Sequence, residues 1–180
     1  MRNIRMDDHI DTLIKGYATS DSGRRSTIIE TLSDSSDPRV ISLFVKTVRN
    51  PKEADYVRVE VLKGIAFRDD SVETKQRFCD VLCDILDNSE EDELVRQYAA
   101  LAIRCFVKCE GILGLLEEIV RNPDEEISVR HNALSSIERN AEMTDCLARL
   151  KRLVSVPVIG KSAARTLERV LQGGPGSRRK

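Results

Sequence analysis

Residues 92–106 read DELVRQYAALAIRCF, and the chain repeats this pattern at residues 54–67, ADYVRVEVLKGIAF, and at residues 126–138, EISVRHNALSSIE. Each copy has a valine and an arginine near the start of a stretch whose apolar residues recur at intervals of three and four. This spacing is the period of an amphipathic helix. A single helix does not require such copies, so the sequence indicates a repeated helical unit.

The repeat is defined by three aligned columns of residues. Its signature column consists of arginines, which are 33, 38 and 34 residues apart: Arg25, Arg58, Arg96 and Arg130. The column three positions further on is apolar: Ile28, Val61, Ala99 and Ala133. The column seven positions further on is also apolar: Leu32, Ile65, Ile103 and Ile137. Columns that stay in phase predict stacked helical hairpins, because each hairpin must bury its apolar face against the next one.

Ten helices are predicted, two in each of five hairpins. The first helices cover residues 7–18, 37–49, 71–86, 110–120 and 144–154. The second helices cover residues 23–32, 55–66, 92–106, 124–138 and 158–171. Asp37 precedes Pro38, which stands in the first turn of its helix. Three aspartates are predicted to cap helix starts, and a glycine follows the last helix: Asp55, Asp92, Asp124 and Gly173. No long segment alternates at period two, so the predicted fold class is all-α.

The fifth hairpin departs from the signature. Ile159, Ala163 and Leu167 continue the apolar pattern, which places Gly160 in the arginine column. A terminal repeat that loses its signature residue is typical of a cap at the end of a repeat array.

Three aligned frames resemble HEAT repeats, in particular the short bacterial form that is also found in phycobilin-lyase-like proteins. They read LFVKTVRNPKEADYVRVEVLKGI at residues 43–65, VLCDILDNSEEDELVRQYAALAI at residues 81–103 and LGLLEEIVRNPDEEISVRHNALSSI at residues 113–137. The resemblance covers about residues 7–172. It implies a right-handed α–α superhelix, a HEAT/ARM-like solenoid of four to five hairpins, because the first and fifth copies depart from the pattern.

The resemblance also implies a domain organisation and a role for the arginines. Residues 1–172 are expected to form a single repeat domain, followed by a disordered basic tail at residues 173–180. The four arginines are expected to form a structural ladder, in which each one pairs with an acidic residue near a neighbouring turn. Asp55, Asp92 and Glu126 are the expected acceptors.

Length and charge limit what the chain is expected to do. Its 180 residues carry 29 basic and 30 acidic side chains, a formal net charge of −1, which disfavours a dedicated polyanion binder. The N-terminus has no apolar signal core, and no run approaches the roughly 20 apolar residues of a membrane span. We therefore expect a soluble cytoplasmic protein that contacts no membrane.

The five cysteines are expected to be reduced packing residues: Cys79, Cys83, Cys105, Cys109 and Cys146. Their odd number, in a chain without an export signal, argues against a disulfide framework. Two pairs have i, i+4 spacing, which leaves a zinc site or a redox sensor as alternatives. Because buried cysteine packs as a small hydrophobe, we expect no metal and no cofactor.

Signals for catalysis and for nucleic-acid binding are weak. The only histidines, His9 and His131, fall in the first and fourth hairpins, and no phosphate-binding glycine motif occurs. HEAT-like DNA glycosylases use aromatic residues and a basic groove, whereas this chain has no tryptophan and 4% aromatic residues. We therefore expect no catalytic residue and no enzymatic activity, and we regard nucleic acid as an unlikely partner.

The resemblance implies that the second helices line a concave face, to which the positions one, two and five after each arginine point. The residues predicted to bind a partner there are Lys63, Gln97, Tyr98, Leu101, His131, Asn132 and Arg165. Their mixed polarity around Tyr98 suits a polypeptide, although a merely solvated face is the plain alternative. The predicted function is a monomeric, non-catalytic protein-binding module: an adaptor, a scaffold or an inhibitor of the immunity type. The alternatives are a nucleic-acid-binding HEAT protein and a lyase- or glycosylase-like enzyme.

Overall fold

The computed structural model describes residues 2–68 and 70–173, with side chains from Asp8 onward. Over these residues the chain forms ten α-helices and one short 3-10 helix and has no β-strand, which confirms the all-α prediction. None of these helices is both long and apolar enough to cross a bilayer. The predicted tail lies, except for Gly173, outside the described residues.

The chain divides into two compact units, Met1–Ala102 and Ile103–Lys180. The first unit holds three hairpins, whose helices are α1 (Arg2–Thr19), α2 (Ser22–Leu32), α3 (Pro38–Arg49), α4 (Asp55–Ile65), α5 (Val72–Asp87) and α6 (Glu93–Ala102). The first helices α1, α3 and α5 pack in succession, and so do the second helices α2, α4 and α6. The hairpins of this unit therefore lie side by side in two layers.

The second unit begins with the 3-10 helix (Ile103–Phe106). Its two hairpins consist of α7 (Ile112–Arg121), α8 (Ile127–Glu138), α9 (Thr144–Leu153) and α10 (Gly160–Leu171). α7 packs against α9, and α8 packs against both α9 and α10. The repeat pattern thus produces the same hairpin packing in this unit, whereas a single domain over residues 1–172 stays a prediction.

The two apolar columns of the repeat form the interior of the hairpins. Their residues are at most 2% exposed: Ile28, Leu32, Val61, Ile65, Ala99, Ile103, Ala133 and Ile137. Ile159, Ala163 and Leu167 are also buried, so the pattern continues through the fifth hairpin. Burial of such side chains stabilises the fold by about 25 cal/mol per Å² of apolar surface, which explains why the periodicity is maintained.

One of the three predicted aspartate caps is confirmed and two are wrong. Asp92 Oδ1 accepts a hydrogen bond from the Val95 N–H at 3.1 Å, and Asp37, before Pro38, also caps its helix by accepting from the Arg39 backbone N–H at 2.8 Å. Asp55 is instead the first residue of α4, with Ala54 at the cap position. Asp124 lies in the turn before α8, whose N-cap residue is Glu126.

The stretch at residues 92–106 is not one continuous helix as predicted. α6 ends at Ala102, and Ile103–Phe106 form a tighter 3-10 helix. Within the second unit, the carbonyl oxygen of Arg104 accepts a hydrogen bond from the side-chain amide of Asn140 at 3.0 Å. The carbonyl oxygen thus has a side-chain hydrogen-bond donor in place of a backbone donor of an α-helix. Hydrophobic periodicity does not predict such a contact.

Steric contact explains why the fifth hairpin has no ladder arginine. Gly160 is the first residue of α10, whereas each ladder arginine is the fourth residue of its helix. A Cβ atom at position 160 would lie 2.1 Å from the carbonyl oxygen of Val154. No side chain fits at that distance, so the hairpin forms only with glycine at this position.

Candidate functional site

Arg25 joins the first two hairpins. Its Nε donates to the carbonyl oxygen of Tyr17, and its Nη1 donates to a carboxylate oxygen of Glu53, both at 3.0 Å. The Tyr17 hydroxyl donates to Glu53 at 2.9 Å and accepts from Thr47 at 3.0 Å. Burial, together with the neighbouring Glu53 carboxylate, raises the pKa of Tyr17 to about 12, so the hydroxyl stays protonated. The network is therefore a buried structural link.

Arg58 repeats this arrangement one hairpin further on. Its Nε donates to the carbonyl oxygen of Val48 at 2.9 Å, and both Nη atoms bind the carboxylate of Glu91. The hydrogen bond from Arg58 lowers the pKa of Glu91 below its ordinary 4.5. Asp55, an expected acceptor, makes a longer contact: its Oδ1 lies 3.7 Å from Arg58 Nη1 on the same helix, and its side chain is half exposed. Each ladder arginine of this kind fixes the end of its own first helix and the turn of the next hairpin.

The other two ladder arginines make the same backbone contact. Arg96 donates to the carbonyl oxygen of Leu86 at 2.9 Å, and Arg130 donates from Nε to that of Val120 at 3.1 Å. In Arg58, Arg96 and Arg130 alike the acceptor precedes the arginine by ten residues. The arginine column thus closes each hairpin across its turn.

The sequence contains a signal for the true acceptors that the sequence prediction missed. Glu53 stands five residues before Arg58, and Glu91 stands five residues before Arg96. The predicted acceptors were three or four residues before the arginine, and Asp92 caps a helix instead. Glutamate also occupies the fifth position before Arg130, so the column can be read from the sequence alone. Glu126 as an acceptor stays a prediction.

The exposed side of α4 and α6 brings two of the predicted binding residues together. The ammonium group of Lys63 lies 5.6 Å from the centre of the Tyr98 ring, a cation–π distance, and 3.2 Å from Glu60. Tyr98 and Leu101 are half-buried on α6. These side chains form a contiguous patch across two neighbouring helices.

Two further apolar side chains belong to this patch, and the sequence prediction did not include them. Tyr56 on α4 is 49% exposed, and Leu94 on α6 is 43% exposed. Each lies two positions before its ladder arginine, and Leu94, Tyr98 and Leu101 have i, i+4, i+7 spacing, which places them on one helical face. The prediction missed them because it considered only positions after the arginine. We call Tyr56, Lys63, Leu94, Tyr98 and Leu101 the α4/α6 patch.

The charged residues next to the α4/α6 patch on α4 and α6 are predominantly acidic. Four carboxylates flank it on the same two helices and at their starts: Asp55, Glu60, Asp92 and Glu93. Lys63 is the one cationic member of the patch. An apolar centre with an acidic border favours contact with a partner that has apolar and basic groups over contact with a polyanion.

The remaining predicted binding residues differ in their surroundings. Gln97 donates from its side-chain amide to Glu93 on its own helix at 2.7 Å and is half-buried. The same column contains Val59, which is 4% exposed, so the position directly after the ladder arginine does not face solvent in every hairpin. In the second unit, His131 and Arg165 are exposed, and Asn132 is half-buried. Their part in binding stays a prediction.

The second unit contains a dense cluster of charges around Glu117, which is 9% exposed. Arg152 binds its carboxylate through Nε at 3.0 Å and Nη2 at 2.6 Å, Arg149 through Nη1 at 2.5 Å, and Arg121 through Nε at 3.2 Å. These hydrogen bonds, that of Arg152 first, lower the pKa of Glu117 to about 2. Three guanidinium groups thus share one carboxylate, which leaves a local excess of positive charge.

An open cavity of about 410 Å³ lies beside this cluster in the second unit. Its lining includes Lys108, Cys109, Met143, Asp145 and Arg149, and no aromatic side chain. Nowhere in residues 2–68 and 70–173 do three or more histidine, cysteine or acidic side chains group as metal ligands would. The cavity therefore lacks the ring of aromatic residues that the glycosylase-like alternative implies.

Comparisons with protein-family models, with curated proteins and with solved structures gave no match. The resemblance to HEAT repeats therefore stays a prediction that rests on the sequence columns.

Proposed function

We propose that the protein is a non-catalytic protein-binding module and that the α4/α6 patch is the centre of its binding surface. The observation that carries this proposal is the contact of Lys63 with the Tyr98 ring, beside the exposed side chains of Tyr56 and Leu94. Interfaces concentrate their energy in a few central aromatic and cationic residues, and these have the size and partial exposure of such anchors. Tyr98 and Leu101 are already half-buried, which limits the entropy that they lose on binding.

The partner that fits this patch is a polypeptide segment with apolar side chains and flanking basic residues. The apolar groups would lie against Leu94, Tyr98 and Leu101, and the basic groups would meet the acidic border. A nucleic acid would instead bring phosphates toward those carboxylates, which costs binding energy. The charge of the border is the reason for preferring a protein partner.

The proposal extends to the architecture. The side-by-side packing of hairpins in each unit supports a HEAT-like solenoid, in which the second helices α2, α4 and α6 present one continuous face. His131, Asn132 and Arg165 lie on the second helices α8 and α10 and are proposed as additional contacts. An adaptor, a scaffold and an inhibitor all use such a face in the same way, and the chain is proposed to act as a monomer.

The test is affinity capture with the tagged full chain, followed by mass spectrometry and by titration of the captured protein. The double variant Leu94→Ala, Tyr98→Ala removes the two central anchors of α6 and is expected to weaken binding at least about tenfold. The matched control Val72→Ala, Lys46→Ala changes two exposed residues of α5 and α3 and is expected to bind normally. Circular dichroism checks that both variants stay folded.

Two results would contradict the proposal. One is equal affinity of the double variant and the control variant for the captured protein. The other is retention of duplex DNA or RNA by the wild-type chain with affinity that falls steeply between low and moderate salt, because such a slope is the signature of counterion release.

A further inference from the structure

The ladder follows a rule within this chain: the guanidinium group of one hairpin binds a glutamate that precedes the second helix of the next hairpin. Arg25 binds Glu53, and Arg58 binds Glu91. The glutamate carboxylates are 4% and 12% exposed, so both pairs are largely shielded from water. The chain itself therefore shows which chemical group this arginine position accepts.

Arg130 occupies the same position without such a partner. It is 8% exposed, and its Nε donates to the carbonyl oxygen of Val120, as in the other hairpins. No carboxylate in the described part of the chain forms an ion pair with Arg130. In the sequence alignment, the last hairpin has Ser155 and no glutamate five residues before the arginine column.

The outer edge of the Arg130 guanidinium keeps access to water. No nitrogen of Arg130 is both sealed from solvent and without a hydrogen-bond partner. Since only Nε has a partner, the two Nη groups reach solvent. A largely buried cation with an open pair of N–H donors is suited to bidentate binding of an external anion.

A cluster of arginines lies next to the backbone group that anchors Arg130. Val120, which anchors Arg130, is followed by Arg121, whose Nη2 donates to the carbonyl oxygen of Arg152 at 3.0 Å. Arg121 and Arg152 both belong to the Glu117 cluster, in which one carboxylate binds three guanidinium groups. Their side chains are 43% and 50% exposed, so the excess positive charge faces solvent.

We propose that Arg130 is the open end of the arginine ladder and binds a carboxylate from outside the chain, supplied by an acidic side chain of a partner polypeptide. The backbone contact with Val120 fixes the guanidinium group in advance, so little ordering is required on binding. The site lies in the second unit and is independent of the α4/α6 patch, so either proposal can fail without the other.

The experiment is an NMR titration of the full chain that follows the arginine side-chain Nε–H signals, with the Arg130 signal assigned from an Arg130→Lys variant. The probes are acetate and two capped tripeptides, Gly-Glu-Gly and Gly-Gln-Gly, with chloride at matched ionic strength. Acetate and the glutamate peptide are expected to shift the Arg130 signal saturably, and the glutamine peptide is not. Arg25 and Arg58 serve as internal controls, because their donors already bind carboxylates.

The proposal is overturned if Arg130 does not respond, if inorganic phosphate but not acetate binds, or if all exposed arginines shift equally.

Discussion

Replacement of Arg58 by alanine is the most direct perturbation of the ladder. Arg58 is 1% exposed and links three elements, since it binds the end of α3, the turn before α6 and its own helix α4. Its loss leaves the carbonyl oxygen of Val48 without this donor and removes the main cation beside Glu91. Arg58→Ala is therefore expected to destabilise the first unit strongly.

The magnitude follows from the burial of the groups left behind. Breaking a buried ion pair by removing one partner costs about 3–5 kcal/mol. The Glu91 side chain retains 12% exposure, and Arg96 also acts on its charge, so the lower end of the range applies, about 3 kcal/mol. With a denaturant slope of about 2 kcal/mol per molar urea, the midpoint should fall by about 1.5 M.

Arg49→Ala is the matched control for this measurement. Arg49 also pairs with an acid on the next hairpin, Asp84, at 2.7 Å, but the two side chains are 48% and 61% exposed. An exposed pair contributes about 0–1 kcal/mol, so the midpoint should move by less than about 0.5 M. Urea unfolding followed by far-UV circular dichroism compares the two variants with the wild type.

A pH series provides a second check on Arg58. Since Arg58 lowers the pKa of Glu91 below 4.5, the pair contributes stability above pH 4.5 and loses it as the pH falls through the lowered value. The difference in midpoint between wild type and Arg58→Ala should therefore shrink below pH 4.5. Equal midpoints for Arg58→Ala and Arg49→Ala at neutral pH would refute the role given to the ladder.

Three other substitutions or reagents test the remaining structure. Glu117→Gln should lower the free energy of unfolding by about 3 kcal/mol at neutral pH, and thermal melts should show this loss shrink as the pH falls from 4.5 toward 2, because the carboxylate pKa is about 2. Ala133→Glu should lower the free energy of unfolding by several kcal/mol, roughly the scale of a buried-charge defect. Ser135→Glu on the same helix should change the urea midpoint little, and equal effects of the two variants would contradict the repeat register. Exposed Cys105 should react first with a thiol reagent and Cys146 only on unfolding, since burial raises its pKa, and elemental analysis should find no stoichiometric zinc.

The hairpin pattern could be predicted because it depends on burial, and burial leaves a periodic trace in the sequence. The columns that contain Val61 and Ile65 are apolar in every copy and are buried in the structure. The helix boundaries were less accurate where a single side-chain contact decides them. The carbonyl oxygen of Arg104 accepts a hydrogen bond from Asn140, 36 residues further along the chain, and no local pattern contains that information.

The candidate site was only partly predicted, for two different reasons. The prediction missed Glu53 and Glu91, although glutamate stands five residues before three of the ladder arginines. It selected acidic residues because they are near the turn and did not require a constant spacing from the arginine. The Glu117 cluster could not be predicted in the same way. Its arginines come from two separate helices, α7 and α9, and only packing shows that Arg121, Arg149 and Arg152 share one carboxylate.

The ladder gives the two hairpin junctions of the first unit the same chemistry. The second hairpin presents the carboxylate of Glu53 to the first hairpin and the guanidinium group of Arg58 to the third, which supplies Glu91. Deletion of residues 53–90 would place Glu91 directly after Lys52, where Glu53 now stands, and would leave Arg25 facing an equivalent acid. In the first unit, the array is therefore expected to become shorter by one hairpin while every buried ladder charge keeps a partner.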